Sequence, residues 1–79
     1  MVSFVDFSTN DSPVYLVMDE DVFYKWHVTN EHVDNVKNWL RDRKTYKFKL
    51  ELNGGDMYIK VYRENDLLLR AEIKEVTFL

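Results

Sequence analysis

Histidine and carboxylate side chains are the groups in this sequence that could hold a metal ion. His27 and His32 lie close in sequence to Glu31 and Asp34. Zinc sites are built from cysteines or from histidines spaced to reach one face, and this chain has no cysteine. The two histidines fall on different predicted elements, so their spacing does not bring them together. The sequence predicts no metal site.

The serines and glycines bear on catalysis. Ser3, Ser8 and Ser12 lie near the N-terminus without the flanking glycines of a nucleophile elbow. Gly54 and Gly55 are adjacent and fall in a predicted hairpin turn, so no glycine-rich loop is available to cradle a phosphate. We therefore expect no enzymatic activity and no bound cofactor.

An acidic segment next to aromatic residues is the leading candidate for a binding site. Aromatic side chains are enriched in interfaces, and complementary charge speeds the encounter of two proteins. The sequence therefore predicts binding to a larger, basic protein, and a solvated turn is the alternative. The predicted protein-binding surface is Asp19, Glu20, Asp21, Phe23, Tyr24, Glu31 and Asp34, with Phe23 and Tyr24 expected to be exposed.

Lysines and tyrosines share one face of the predicted C-terminal strands. Single-stranded nucleic acids bind such faces, where bases stack on rings and lysines meet phosphates. Glu51 and Glu72 interrupt the face, and lysine and tyrosine are also ordinary residues of exposed strands. Nucleic-acid binding is therefore the second hypothesis. Its predicted surface is Lys47, Lys49, Tyr58, Lys60, Tyr62, Arg70 and Lys74.

Charge is distributed unevenly along the chain, whose net charge is −3. Residues 1–36 contain seven acidic residues and one basic residue, whereas residues 37–79 contain ten basic and seven acidic ones. Such a division predicts an acidic and a basic surface if the two halves of the chain stay separate in space. If the fold mixes the two halves, positive and negative charges alternate over the surface and no acidic or basic surface results.

Residues 45–79 predict a meander of three antiparallel strands. Apolar and polar residues alternate over residues 46–52, the period of a half-buried strand. Asn-Gly-Gly-Asp at residues 53–56 is a hairpin signal. Either Asn53-Gly54 or Gly54-Gly55 can form the turn, because both registers keep apolar residues opposite each other.

The second hairpin of the meander follows from the same argument. A loop of Glu64, Asn65 and Asp66 keeps apolar residues opposite each other, with Asn65 or Asp66 in the left-handed conformation. The alternation breaks after Ile73. A β-bulge near Lys74 would restore it, and a frayed tail is the alternative.

Three strands and a helix are predicted before the meander. Residues 2–7 indicate a short strand whose buried face is undetermined. Residues 14–28 predict a hairpin interrupted by the acidic segment, with one long bent strand as the rival interpretation. The helix is predicted over about residues 30–43, capped by Thr29 or Asn30.

The element order β-β-β-α-β-β-β predicts a single α+β domain over residues 1–79. One helix is expected on one face of a mostly antiparallel sheet, a two-layer sandwich, and a partly closed barrel is the alternative. We expect a monomer or a weak homodimer. The predicted core is Val33, Val36, Trp39, Leu40, Phe48, Leu50, Ile59, Val61, Leu69, Ala71 and Ile73.

Composition also predicts where the protein works. The longest apolar run, residues 14–18, is far shorter than the ~20 residues of a membrane helix. The first residues lack the positive region of a signal peptide, and the absence of cysteine fits a reducing cytosol. We expect a cytoplasmic protein without membrane contact. Such a chain is compatible with inhibitors or adaptors of the type that phages and mobile elements encode.

Overall fold

The computed structural model describes residues 2–9, 12–73 and 75–78. Within these residues it has seven strands, one α-helix and a 3-10 turn at Asn30–His32. The elements are β1 (Val2–Asp6), β2 (Val14–Asp19), β3 (Val22–His27), α1 (Val33–Arg41), β4 (Tyr46–Asn53), β5 (Asp56–Arg63), β6 (Asp66–Ile73) and β7 (Glu75–Phe78). The predicted α+β class, with a single helix among antiparallel strands, is confirmed.

Contacts divide the chain into two compact units. The first unit contains an antiparallel sheet of strand order β1-β2-β3-β7. Within it, β2 and β3 form a hairpin in which Asp19 lies opposite Val22, so Glu20 and Asp21 are the two-residue turn. The predicted hairpin over residues 14–28 is therefore confirmed, and the rival bent strand is wrong.

The first sheet has one buried face and one outer face, because successive side chains of a strand point to opposite sides. On the buried face, Tyr15 and Val17 of β2 lie opposite Trp26 and Tyr24 of β3, and all four are buried. The rings of Tyr15 and Trp26 lie 6.1 Å apart between centroids. Phe4 of β1 lies opposite Val17, which places it on this side of the sheet. The sequence had left the buried face of β1 undetermined.

The chain passes from one sheet to the other after Ile73. Its last strand, β7, pairs antiparallel with β3, and Tyr24 lies opposite Val76. This change of sheet explains why the alternation of the sequence breaks at this point. Residues 75–78 thus form a strand instead of the frayed tail, and the predicted bulge near Lys74 lies outside the described residues.

The second unit, Asp34–Glu72, contains most of α1 and the three-stranded sheet β4-β5-β6. The helix is shorter than predicted at both ends. Its expected first turn is the 3-10 turn, which Thr29 precedes without a side-chain capping hydrogen bond. At the other end Asp42 turns the chain, because its carboxylate accepts a hydrogen bond from the Thr45 N–H at 3.2 Å.

The turn between β4 and β5 decides the register that the sequence left open. Asn53 lies opposite Asp56, so Gly54-Gly55 is the two-residue turn and Leu50 faces Ile59. Gly54 has a φ of 61° and Gly55 a φ of 91°. Both angles lie in the left-handed region that a type I′ turn requires, which explains the two adjacent glycines.

The loop between β5 and β6 differs from the prediction. It contains two residues, Glu64 and Asn65, since β6 already begins at Asp66. The left-handed residue is Glu64, with a φ of 55°, and not Asn65 or Asp66. Alternation identifies which residues share a face, but it does not determine how far the ladder of hydrogen bonds extends into a turn. The loop between the strands is therefore one residue shorter than predicted, while Leu69, Ala71 and Ile73 are less exposed than their neighbours, as in the predicted pairing.

The core extends further than predicted. Five predicted members are buried: Val36, Phe48, Ile59, Val61 and Ile73. The other predicted members are half-buried: Val33, Trp39, Leu40, Leu50, Leu69 and Ala71. The prediction took no core residue from the first sheet or the residue that follows β3. The buried residues there are Val14, Tyr15, Val17, Tyr24, Trp26 and, after β3, Val28.

Replacing Glu20 or Glu64 with glycine is expected to raise the free energy of unfolding by about 0.5–1 kcal/mol. Both residues have a positive φ, which costs a non-glycine residue roughly 1–2 kcal/mol, and the greater freedom of glycine in the unfolded chain offsets about half of that. Urea unfolding measures the change. Gly54→Ala, at another left-handed position, should shift the curve in the opposite direction, and a destabilised Glu20→Gly would contradict the expectation.

Candidate binding surfaces

The acidic turn joins β2 to β3 at one end of the first sheet. Glu20 and Asp21 are exposed and Asp19 is half-buried. Tyr24 is not the exposed anchor that the sequence suggested, because its side chain is buried on the inner face of the sheet. Burial, with a smaller effect from the nearby charge of Asp19, raises the pKa of the Tyr24 hydroxyl. Tyr24 is therefore a core residue.

The remaining members of the predicted protein-binding surface are not all brought together. Phe23 is half-buried on the outer face of the first sheet, next to the acidic turn. Glu31 follows the opposite end of β3, roughly 16 Å away along five steps of an extended strand. Asp34 belongs to the second unit. The acidic turn and Phe23 are thus the part of the prediction that forms one surface.

The outer face of the first sheet exposes apolar side chains that the sequence reading did not assign to a site. Their positions follow from the strand register, in which Val5 lies opposite Leu16 and Met18 opposite Phe23. Val5 is 39% exposed and Phe7, which follows β1, is 60% exposed. We call this set, Val5, Phe7, Leu16, Met18 and Phe23, the outer apolar face. The unbroken apolar run of residues 14–18 was the sequence signal for it.

A groove lies at the end of the outer apolar face that is remote from the acidic turn. It has a volume of about 440 Å³ and is lined by Phe7, Ser12, Val14, Leu16, Lys25 and His27. Phe7 is held at its rim because its N–H donates to the carbonyl of Val14 at 2.9 Å. The hydroxyl of Ser8 accepts a hydrogen bond from the Val14 N–H at 3.1 Å. The most exposed apolar ring of the face is therefore attached to a fixed backbone.

The second sheet carries the predicted nucleic-acid surface, and its tyrosines are covered by cations. The Arg70 guanidinium lies 3.8 Å from the centroid of the Tyr58 ring, and the Lys49 ammonium lies 5.3 Å from that of Tyr62. Both are cation–π distances. Lys47 lies opposite Tyr62 and donates to the carbonyl of Arg43 at 3.4 Å. Lys74 lies outside the described residues.

Glu51 neutralises part of this lysine–tyrosine surface. Its carboxylate forms an ion pair with Lys60 and a second with Arg70, at 3.3 Å. The hydrogen bond from Lys60, followed by that from Arg70, holds the pKa of the Glu51 carboxyl below its ordinary value. The same hydrogen bond raises the pKa of Lys60. Two of the cations that would meet phosphates therefore already face a carboxylate.

Acid should weaken the contribution of Glu51 to stability. Because the pKa of Glu51 is lower in the folded chain than its ordinary value of 4.5, its ion pairs stabilise the fold above that pH and are lost as the pH falls through the folded pKa. We expect wild type to be more stable than Glu51→Gln at neutral pH, with the difference shrinking below about pH 4.5. Urea unfolding across this range is the measurement. Glu72→Gln, at an exposed carboxylate of the same face, is the control, and an equal pH profile for both variants would contradict the expectation.

Metal sites and membrane-spanning helices are two further features to consider. In the part of the chain that the structure describes, no three histidine, aspartate or glutamate side chains come close enough to hold a metal ion. His32 contacts its neighbour Glu31, with 3.5 Å between Nε2 and Oε1. Among the described residues, no helix has the length and apolar character needed to cross a membrane.

The fold and these surfaces define a small protein of the α+β class with two antiparallel sheets. Comparison with protein-family models, curated proteins and solved structures found no match to this chain. The two surfaces themselves are therefore the basis for inferring a function.

Proposed function

We propose that this protein is a non-enzymatic binding module that attaches to a larger, basic protein through the outer apolar face and the acidic turn. The observation that carries the proposal is the exposure of Val5 and Phe7 on the outer side of the first sheet, the side that also carries Phe23. A sheet face that meets only water normally carries polar residues. Contiguous exposed apolar residues are typical of surfaces that contact another protein.

The acidic turn adds the charge that would select the partner. Glu20 and Asp21 project at the end of the face where Met18 and Phe23 lie, so a partner seated on the face would meet negative charge at this edge. Complementary charge accelerates association more than it adds affinity. A basic partner that handles nucleic acid fits this arrangement, because the carboxylates would take the place of phosphates.

Binding of this kind would make the protein an inhibitor or modulator without chemistry of its own. We propose that it acts in the cytoplasm, because a chain without cysteine needs no disulfide bond and therefore suits a reducing compartment. An origin in a phage or mobile element belongs to the same proposal, since such elements encode small inhibitors of nucleic-acid-handling proteins.

The experiment is capture of the partner on immobilised protein from a lysate of the source cells, with and without nuclease. A stoichiometric partner that survives nuclease is expected, and an excess of duplex DNA should compete for it. Phe7→Ser should then weaken binding of the purified partner on the order of 10- to 100-fold, as expected for an aromatic ring that anchors an interface. The triple change Asp19→Asn, Glu20→Gln and Asp21→Asn should mainly slow association, on the order of tenfold.

Matched controls separate the surface from general effects. Leu52→Ser removes a 70% exposed apolar side chain of the second sheet, and it should leave binding unchanged. Asp56→Asn, Glu64→Gln and Glu72→Gln together change the net charge by the same amount at other exposed positions. If the two triple variants associate equally fast and Phe7→Ser binds like wild type, the proposed surface is wrong.

Single-stranded nucleic-acid binding is the second candidate, and it rests on the lysine–tyrosine surface. The observation in its favour is that Tyr58 and Tyr62 lie on one face with cations beside both rings. Glu51 counts against it, because a carboxylate between Lys60 and Arg70 repels phosphates. Because of this repulsion, we place nucleic-acid binding second to binding of a protein partner.

A labelled oligonucleotide tests the second candidate directly. Affinity should fall steeply with salt as counterions are released, and Lys49→Glu with Lys60→Glu should abolish it. Glu51→Gln should strengthen it. Absence of binding at low salt would end this hypothesis.

A further inference from the structure

We propose that β6 is a homodimer interface, at which two copies of the chain pair antiparallel and join their three-stranded sheets into one. The proposal uses a different surface from the proposed function and does not depend on it. It starts from the position of β6 at the edge of the second sheet, where β5 lies on one side and no strand of the described residues pairs with the other side.

The exposed edge of β6 is unusually apolar. Leu67 is 49% exposed and Leu68 is 41% exposed, although the two side chains point to opposite faces of the sheet. Edge strands present unpaired backbone groups, and monomeric proteins protect them with lysine, proline or a bulge. The other edge of this sheet, β4, carries Lys47 and Lys49. β6 has no lysine and no proline, and its charged residues Asp66, Arg70 and Glu72 flank an unprotected run of three leucines at residues 67–69.

The charges of β6 identify a second copy as the occupant. A twofold axis perpendicular to the sheet relates the two antiparallel copies of β6 and leaves equivalent side chains on the same side of the joined sheet. The axis therefore passes between one residue of β6 and the same residue of the second copy. With the axis at Leu68, Leu68 faces Leu68 of the second copy and Leu67 faces Leu69 of the second copy. Asp66 then lies opposite Arg70 of the second copy, and the pair occurs twice by symmetry.

Neighbouring registers place Leu68 opposite a charged residue. With the axis at Leu67, Leu68 lies opposite Asp66 of the second copy, although Arg70 meets the turn residue Glu64. With the axis at Leu69, Asp66 lies opposite Glu72 of the second copy and Leu68 lies opposite Arg70. With the axis at Arg70, two arginines face each other. Like charges opposite one another destabilise strand pairs, whereas opposite charges stabilise them. The Leu68 register keeps residues 67–69 of the two copies opposite one another, and it also brings the turn residue Glu64 opposite Glu72 of the second copy, a like-charged approach that occurs twice by symmetry.

Arg70 already has contacts within its own sheet. Its guanidinium lies over the Tyr58 ring at 3.8 Å, and its terminal nitrogen reaches Glu51 at 3.3 Å. A guanidinium has five N–H donors, so these contacts leave donors for a second carboxylate. Tyr58 and Glu51 belong to β5 and β4, on the side of β6 away from its free edge, so the guanidinium must turn back over β6 to meet Asp66 of the second copy.

Cysteine cross-linking tests the register, because the natural chain has no cysteine. Residues directly opposite in an antiparallel pair have Cα atoms about 4.5–5.5 Å apart, within the range of about 4.4–6.8 Å that a disulfide spans. Leu68→Cys is therefore expected to form a covalent dimer rapidly on mild oxidation. Leu52→Cys, at a more exposed leucine of the same sheet, is the matched control. Equal rates of cross-linking for the two variants would overturn the proposal.

Sedimentation equilibrium over a dilution series tests the interface without cross-linking. Wild type should be in monomer–dimer exchange, and Leu68→Lys should raise the dissociation constant at least tenfold, because two lysines would face each other. Leu52→Lys should leave it unchanged. Asp66→Arg should weaken the dimer, and adding Arg70→Asp should restore it. A wild type that is monomeric at every concentration, or a double variant no better than Asp66→Arg, would overturn the proposal.

Discussion

Trp26→Ala is expected to lower the free energy of unfolding by about 3–5 kcal/mol, the range for truncating a fully buried aromatic residue. Trp26 is only 1% exposed, lies opposite Tyr15 in the first sheet, and its ring is 6.1 Å from that of Tyr15. Truncation would remove this contact and leave a cavity between rigid strands. Because small domains have a total stability of about 5–15 kcal/mol, the variant should be close to unfolding at room temperature. Circular dichroism in urea measures the loss.

Trp39→Ala is the matched comparison. The sequence alone favoured Trp39 as the large aromatic residue of the core, but Trp39 is half-buried and its ring contact is with Tyr46. Because part of the ring already meets water, we expect a smaller loss, about 1–2 kcal/mol. A larger loss for Trp39→Ala than for Trp26→Ala would reverse this assignment.

The two tryptophans also test the prediction that the chain is a single domain. Trp26 lies in the first unit and Trp39 in the second. In Trp26→Ala the remaining fluorescence reports on the second unit alone. If the chain unfolds cooperatively, that signal should shift to the same lower urea concentration as circular dichroism. An unshifted Trp39 signal would mean that the two units unfold independently.

Ile59→Ala should cost about 2–4 kcal/mol, as expected for truncating a buried aliphatic residue. Ile59 is completely buried, lies in the central strand of the second sheet and faces Leu50 across the β4–β5 pair. The central strand is paired on both sides, so the backbone has little room to collapse into the cavity. Urea unfolding followed by circular dichroism measures the change.

Leu52→Ala is the control for Ile59→Ala. It truncates an aliphatic residue of the neighbouring strand that is 70% exposed, so it removes little buried surface and should cost less than about 0.5 kcal/mol. Comparable losses at the two positions would show that Ile59 is not held in a close-packed environment.

Local signals predicted the hairpins well. The Asn-Gly-Gly-Asp sequence marked a turn, and it limited the register to two choices that differ by two residues, since a one-residue shift would turn the strand inside out. The structure selects Gly54-Gly55. The β5–β6 loop was missed because Glu64, which has no special preference for a positive φ, occupies the left-handed position.

The candidate site was only partly predictable. The sequence identified the acidic turn and Phe23, but it also included Tyr24, which is buried, and Glu31, which lies at the other end of β3. It did not identify Phe7, the most exposed ring of the outer apolar face. Alternation places residues on a common side of a strand, but burial of that side depends on what packs against it.

The sequence by itself determined the α+β class, the order of the first six strands and the helix, the turns at residues 19–22 and 53–56, and the side that each strand residue shares with its neighbours. These properties follow from periods of 2 and 3.6 residues and from local turn chemistry, which act over a few residues. Only the tertiary structure decided that β7 pairs with β3, that the strands form two sheets, and which side of each sheet is buried. Those choices depend on contacts between residues far apart in the chain, here as far as Tyr24 and Val76, and no local pattern encodes them.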